Sequence, residues 1–382
     1  GSDDGWSRRV DGERYTGRDF DRMRRQDETD AADRVKAPAA GPLGPRRCKV
    51  PGVAVVVAAA VITLAAPLLG GEEPLKVLVI DSERADLPLW LEFSTAFKSA
   101  IQTGSERPVG VYFENLDSAR FGDSGHLDRV AGWLMEKYRS APPDVIVTVG
   151  PETYRLMTRW PALLAAETSV VGVAVDRTTF SDAGRLPRTT GLIRDFAQAE
   201  TVQIALELFP KTRHLAIVGG PKDPKSYSRF FYSQIVAEFA DELDIIDLSG
   251  LSLEEIRARA ARLPEDTVLV LTAMAVDGDG RPLTHPEVLK EVAPVANAPI
   301  FGSIKTELGY GSVGGRLFDP GMMGHETAKL VARILNGEPA ESIEPRLADL
   351  SVVAFDWREL ERWGIAERRL PKGSVVEFRP PT

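Results

Sequence analysis

Gly309-Tyr310-Gly311-Ser312-Val313-Gly314 has the spacing of a dinucleotide-binding glycine loop. That chemistry requires a strand just before the glycines and a helix just after, so that helix N–H groups meet the pyrophosphate. Here the strand-like VGGRLFD follows, and the nearest strand before ends near Gly302. The glycines read instead as places where the chain turns between lobes. Asp277-Gly278-Asp279-Gly280 starts like a calcium loop, but Arg281 and Val288 stand where oxygen ligands are needed, so a tight turn is expected. Ser226, His285 and several aspartates supply the residue types of a hydrolytic triad, yet no Gly-x-Ser-x-Gly elbow is present. His126, His214, His285 and His325 are scattered singly, and Cys48 is the one cysteine, which excludes an intrachain disulfide and cysteine-rich zinc sites. No catalytic residue, metal or cofactor is expected, and the chain does not read as an enzyme.

What remains is a set of polar and aromatic groups at the ends of apolar runs. Ser82, Thr153, Ser226 and Thr272 place small hydroxyls in such loops, Tyr154 and Tyr227 place rings there, and Glu307 follows the last short strand. Hydroxyls and the free N–H groups of helix N-termini suit a carboxylate or another polar ligand head. The same hydroxyls also serve as plain helix caps, and Trp90 and Tyr154 serve equally as core packing. These seven residues, from Ser82 to Glu307, are the expected ligand contacts.

The elements that must position them alternate in type. LKVLVID (75–81), VGVYFEN (109–115), DVIVTVG (144–150) and SVVGVAV (169–175) are buried-strand runs, separated by stretches of helical spacing such as LWLEFSTAFKSAI (89–101). HLAIVGG (214–220) begins a second series of the same kind. Asp319, Pro320 and Gly337 supply the cap, first turn and stop of a late helix. The fold class is therefore α/β, with two doubly wound, parallel-sheet lobes and ligand loops beyond the carboxyl ends of the strands.

Of the 382 residues, 43% are hydrophobic and 27% charged, ordinary globular values. The net charge of −9 argues against a nucleic-acid partner. It divides unevenly, +2 over residues 1–49 and −11 over the rest. Between Val50 and Gly71 lie 22 uncharged residues, long enough to span a bilayer. Arg46, Arg47 and Lys49 precede this run and Glu72 and Glu73 follow it, which places 1–49 inside as a disordered tail and 72–382 outside. AAPLLGG offers no clean cleavage site, so an uncleaved signal anchor is preferred to a cleaved signal peptide.

DVIVTVGPETYRLM, TGLIRDFAQAETVQIALELFPKTRHLAIVGG, PIFGSIKTELGYGSVGGRLFD and VVAFDWRELERWGIAERRLPKGSVVEFRPPT resemble the extracytoplasmic solute-binding proteins related to ABC-transporter receptors. The last two runs are similar to the branch that forms the periplasmic sensor domain of bacterial histidine kinases. The resemblance covers roughly residues 74–382. It implies type I periplasmic-binding-protein architecture: lobe 1 from 72–190 with 312–345, and lobe 2 from 191–311 with 346–382. It also implies closure around a small organic ligand, an amino acid or another carboxylate, with Gly191, Gly309, Gly311 and Gly314 as hinge positions. The implied partners are the membrane and a histidine kinase module, or the permease of an ABC importer. In that branch a second span and a kinase follow; neither a phospho-acceptor helix nor an ATP-binding glycine box lies in these 382 residues. The retained apolar segment favours the sensor over the importer receptor, and an α/β enzyme is the third alternative.

Overall fold

A computed structural model describes residues 7–10, 13–16 and 73–381, apart from 122–123, 183–185, 195–197 and 223–226. Within the expected tail, β1 (Ser7–Val10) and β2 (Glu13–Thr16) pair antiparallel. The apolar run 50–71 lies outside the described residues; among those described, no helix is long and apolar enough to cross a membrane.

The remainder holds two sheets. The first contains β3 (Leu75–Asp81), β4 (Val109–Asn115), β5 (Val145–Val149), β6 (Ser169–Val175), β7 (Thr189–Arg194) and, from far downstream, β13 (Arg346–Ala348). Their order is β13-β7-β6-β5-β3-β4, all parallel. Strand alternation divides the core between two faces. Val77 and Val79 meet Trp90, Phe93, Phe97 and Ile101 of α1 (Pro88–Gly104), whereas Leu78 and Ile80 meet Leu134 of α3 (Ser124–Tyr138) and Leu156 and Met157 of α4 (Pro151–Arg159). The short α2 (Ser118–Phe121) and α5 (Arg177–Asp182) follow β4 and β6.

The second sheet is built on β8 (His214–Val218), β9 (Asp244–Asp247), β10 (Thr267–Leu271), β11 (Ile300–Phe301), β12 (Gly314–Phe318), β14 (Ser351–Asp356) and β15 (Val375–Glu377), in the order β15-β14-β12-β11-β10-β8-β9. Only the β12–β14 pair is antiparallel. Helices α6 (Gln198–Leu208), α7 (Tyr227–Phe239), α8 (Leu253–Ala260), α9 (His285–Val292) and α11 (Trp357–Arg362) cover it. Ser252 with Glu255 and Thr284 with Glu287 form complete capping boxes at α8 and α9.

Helix α10 (Pro320–Leu335) returns to the first lobe and packs along α1. Gly324 permits this, because a Cβ there would stand 2.5 Å from the Phe93 carbonyl oxygen. Asp319 caps the helix by accepting from Met322 N–H at 3.0 Å. The lobe boundaries differ from those expected. The first sheet keeps the chain through Arg194 rather than 190, because Gly191–Ile193 continue pairing with β6 and Leu192–Arg194 pair with β13. The second crossing falls between Phe318 and Pro320 rather than at 312, because β12 is held between β11 and β14. Residues 346–348 join β7, so the last crossing lies between Ala348 and Ser351.

Candidate functional site

In the first sheet the strand order reverses between β3 and β5, since α1 and α3 lie on opposite faces. The crevice this opens at the carboxyl ends of the strands is where doubly wound sheets bind ligands. It is lined by Asp81-Ser82-Glu83, by Asp117-Ser118 after β4, and by Gly150-Pro151-Glu152 after β5. Ser118 ties the three together: its N–H and Oγ–H donate to the Ser82 carbonyl at 2.8 and 3.1 Å, and the hydroxyl also reaches Glu152 Oε2 at 2.5 Å. Gly150 adopts φ 87°, and a Cβ there would stand 3.2 Å from Ser82 Oγ. Asp81, 1% exposed, accepts the Glu83 N–H on Oδ1 at 2.9 Å.

Burial and then the Glu83 charge push the Asp81 carboxyl up to about 8, against hydrogen bonds from Glu83 and Ser82. Burial also raises Glu83, helped by the charges of Glu152 and Asp117; His285 and Arg84 oppose the rise. His285 belongs to the second lobe. Arg84 in turn lowers Glu287 of that lobe, behind the larger effect of the Thr284 hydrogen bonds.

The second sheet repeats the reversal between β8 and β10. Here Met274 N–H donates to His285 Nε2 at 3.2 Å, so the other ring nitrogen, Nδ1, carries the proton toward Glu307 Oε1 at 2.5 Å. Glu307 is fully buried and also accepts from Ser303 N–H at 2.8 Å and Ser303 Oγ–H at 3.1 Å. Gly302 makes the space, since a Cβ there would overlap Glu307 Oε2 at 2.0 Å. This network fixes the imidazole at the crevice rim.

The expected contacts separate into groups. Ser82 is at the first crevice and half-buried. Thr153 lies beneath it, fully buried, its hydroxyl donating to the Val149 and Gly150 carbonyls at 2.8 and 2.9 Å, which makes it a helix-start brace. Tyr154 is a core residue, its ring 4.8 Å from that of Phe180 and fully buried. Thr272 is likewise buried, donating to the Val218 carbonyl at 3.0 Å. Glu307, also an expected ligand contact, is held by His285 and Ser303 within the second lobe. Ser226 lies outside the described residues, and Tyr227 opens α7. Trp90 is core, packed edge-on against Phe113.

The hinge glycines also find other work. Gly191 is inside β7, where a Cβ would stand 2.1 Å from the Gly172 carbonyl oxygen, and Gly314 is inside β12, 2.1 Å by the same measure from that of Ala354. Gly309 and Gly311 turn the chain before β12 with φ of 94° and 110°. None of the four lies at a crossing. The residues that sequence reasoning passed over are the carboxylates Asp81, Glu83, Asp117 and Glu152, and His285. Asp81, Glu83 and Glu152 stood in the right loops, but hydroxyls were preferred to them. Among the described residues, no group of three or more His, Cys, Asp or Glu side chains is placed to hold a metal ion.

A family model described as ABC transporter substrate binding protein matches residues 124–366. Among curated proteins no match was found. Among solved structures, the chain is similar to an ABC domain from Streptococcus pneumoniae in complex with L-Trp, at 13% identity and TM-score 0.57, over 80% of this chain and 100% of that one. A conserved domain protein from Vibrio cholerae aligns at 16% identity and TM-score 0.57, over 79% and 100% of the two chains. A ligand-free, open substrate binding protein from Clostridium difficile aligns at 13% identity and TM-score 0.55, over 79% and 98%. At these identities the likeness is one of fold: two lobes of the type I periplasmic-binding-protein kind.

Proposed function

We propose a ligand-driven receptor role for this chain, which belongs to the ABC transporter substrate binding protein family: a small organic molecule binds between the lobes and stabilises their closed arrangement. The observation that carries this reading is a strand-order reversal in each lobe, with the Asp81–Glu83 loop at the first and the His285–Glu307 network beside the second. A ligand seated there touches both lobes and so has a differential affinity for closure, which alone shifts such an equilibrium. The receptor is anchored by residues 50–71 with 72–382 on the outer side of the membrane, and closure is passed across the membrane to a histidine kinase module. The family match favours a second reading, in which the same closure presents the receptor to the permease of an ABC importer. A phosphatase reporter fused after Thr382 should be active and one fused at Ala40 inactive; the reverse pattern rejects the topology. Co-purification with a permease, and not with a kinase, selects the second reading.

A further inference from the structure

We propose that the interlobe crevice selects a ligand bearing an organic cation, a primary ammonium or guanidinium group, and that Asp81 and Glu83 receive it. The inference rests on the reading of this crevice as the binding site and goes further by fixing the ligand's charge.

The first observation is the sign of the crevice wall. Glu83, Asp117 and Glu152 follow the ends of β3, β4 and β5, the charges of the last two raise Glu83, and Asp81 accepts the Glu83 N–H. Among the described residues, the basic groups that act on Glu83 are already engaged. Arg84 is paired with Asp86, its Nε–H on Oδ1 at 2.9 Å. Both ring nitrogens of His285 are held, by Met274 and Glu307.

The second observation is independent of the cluster's charge. Asp81 is 1% exposed, yet its Oδ2 has no hydrogen-bond partner, while Oδ1 is turned to the Glu83 amide in the crevice loop. A buried polar oxygen without a partner is costly to a fold that gains nothing from it. Placed at the switch point, it suits an N–H donor brought by the ligand. A carboxylate ligand would add like charge to this wall, and with no metal-holding group among the described residues an organic cation fits better than a bare ion.

The donor has a further consequence. Burial and Glu83 keep the Asp81 carboxyl largely protonated at neutral pH, with Asp117, Glu152, His285, Arg84 and Glu287 the other charged or titratable groups around this loop. An arriving ammonium or guanidinium favours the carboxylate, so binding expels a proton to solvent.

The test uses the full chain in detergent with three probe sets of matched length: putrescine and agmatine, succinate and glutarate, and 1,4-butanediol. Calorimetry at pH 7 in two buffers of different ionisation enthalpy reads affinity and proton release together. Binding of an amine or guanidine probe with proton release, weakened at least tenfold by Asp81→Asn and by the rim substitution Glu152→Gln, is the expected result. Binding of the diacids or the diol alone overturns the cation assignment and leaves the receptor reading standing. Amine binding unchanged in both variants overturns it as well, and silence from every probe counts against the crevice as a site. Circular dichroism of each variant checks folding.

Discussion

The Arg194 guanidinium stacks on the Phe318 ring, its Cζ 3.9 Å from the centroid. Arg194 ends β7 in the first sheet and Phe318 ends β12 in the second, so the contact bridges the sheets where the chain passes between lobes. Beside it, Asp319 N–H donates to the Leu350 carbonyl at 2.8 Å, joining the second and third connections. Phe318 is buried with Leu192, Met323 and Leu350. The junction is thus a packed knot, and movement between lobes must bend around it.

Phe318→Leu keeps much of the apolar volume and removes the ring. The expected cost is about 1–3 kcal/mol, part of it the lost cation–π contact. Urea unfolding measures the cost. Spin labels on the two lobes should report a broader distance distribution in the variant; an unchanged distribution means that the stacked pair does not restrain the lobes.

Gly191→Ala and Gly314→Ala test whether these glycines serve movement or packing. Each Cβ would stand 2.1 Å from a carbonyl oxygen, and Gly314 also sits at φ 133°, where side chains are strained. Each variant should lose about 3 kcal/mol or more of stability, or fail to accumulate folded protein. A variant that folds normally but no longer closes on ligand, read by small-angle scattering, would restore the hinge role.

Much of the scaffold was legible. LKVLVID and SVVGVAV are buried strands over the expected residues, because continuous Val, Ile and Leu runs fit a sheet buried on both faces, whereas VGVYFEN, also a strand where expected, is the sheet edge and buries only Val109. Asp319 and Pro320 cap and open α10 as their types dictate. The crossings were not legible, since pairing of Arg346–Ala348 with β7 is a choice between distant sheet edges that no local pattern encodes. Tyr154 misled for a related reason. Gly172 and Gly191 lie side by side on β6 and β7 and leave a socket, which the Phe180 and Tyr154 rings fill; a Gly172 Cβ would stand 2.9 Å from one and 3.1 Å from the other. A glycine in each of two adjacent strands was the signal that the nearby aromatic belongs to the core.

Glu307→Ala leaves Ser303 N–H, Ser303 Oγ–H and His285 Nδ1–H without their shared acceptor in a buried site. The expected loss is roughly 2–4 kcal/mol, and His285 should lose its fixed tautomer. Glu307→Gln keeps one acceptor oxygen but turns an amide donor on donors, so a smaller loss of about 1–2 kcal/mol is expected. Denaturant melts rank the two, and nitrogen chemical shifts of His285 report the tautomer. Equal stability of both variants and the parent would mean that the network does not hold the rim.

Asp81→Asn should stabilise the ligand-free protein. The folded carboxyl titrates at about 8, above its ordinary value of 3.8, because burial and Glu83 oppose its charge. The sign follows from proton binding. Above the unfolded value the unfolded chain has released this proton while the folded chain still holds it. On account of this group, stability therefore falls as pH rises from about 4 to about 8, and is flat beyond. Asparagine carries no such proton and keeps a neutral group of the same shape, with an oxygen to accept the Glu83 amide. At pH 7 the variant should gain roughly 1–4 kcal/mol, and its plot of unfolding free energy against pH should lose the downward slope over that interval. Urea melts at half-unit steps from pH 4.5 to 8.5 measure both. A parent protein as stable at pH 8 as at pH 5, with the variant parallel to it throughout, would place an ionised Asp81 in the folded state and remove the proton that ligand binding is expected to expel.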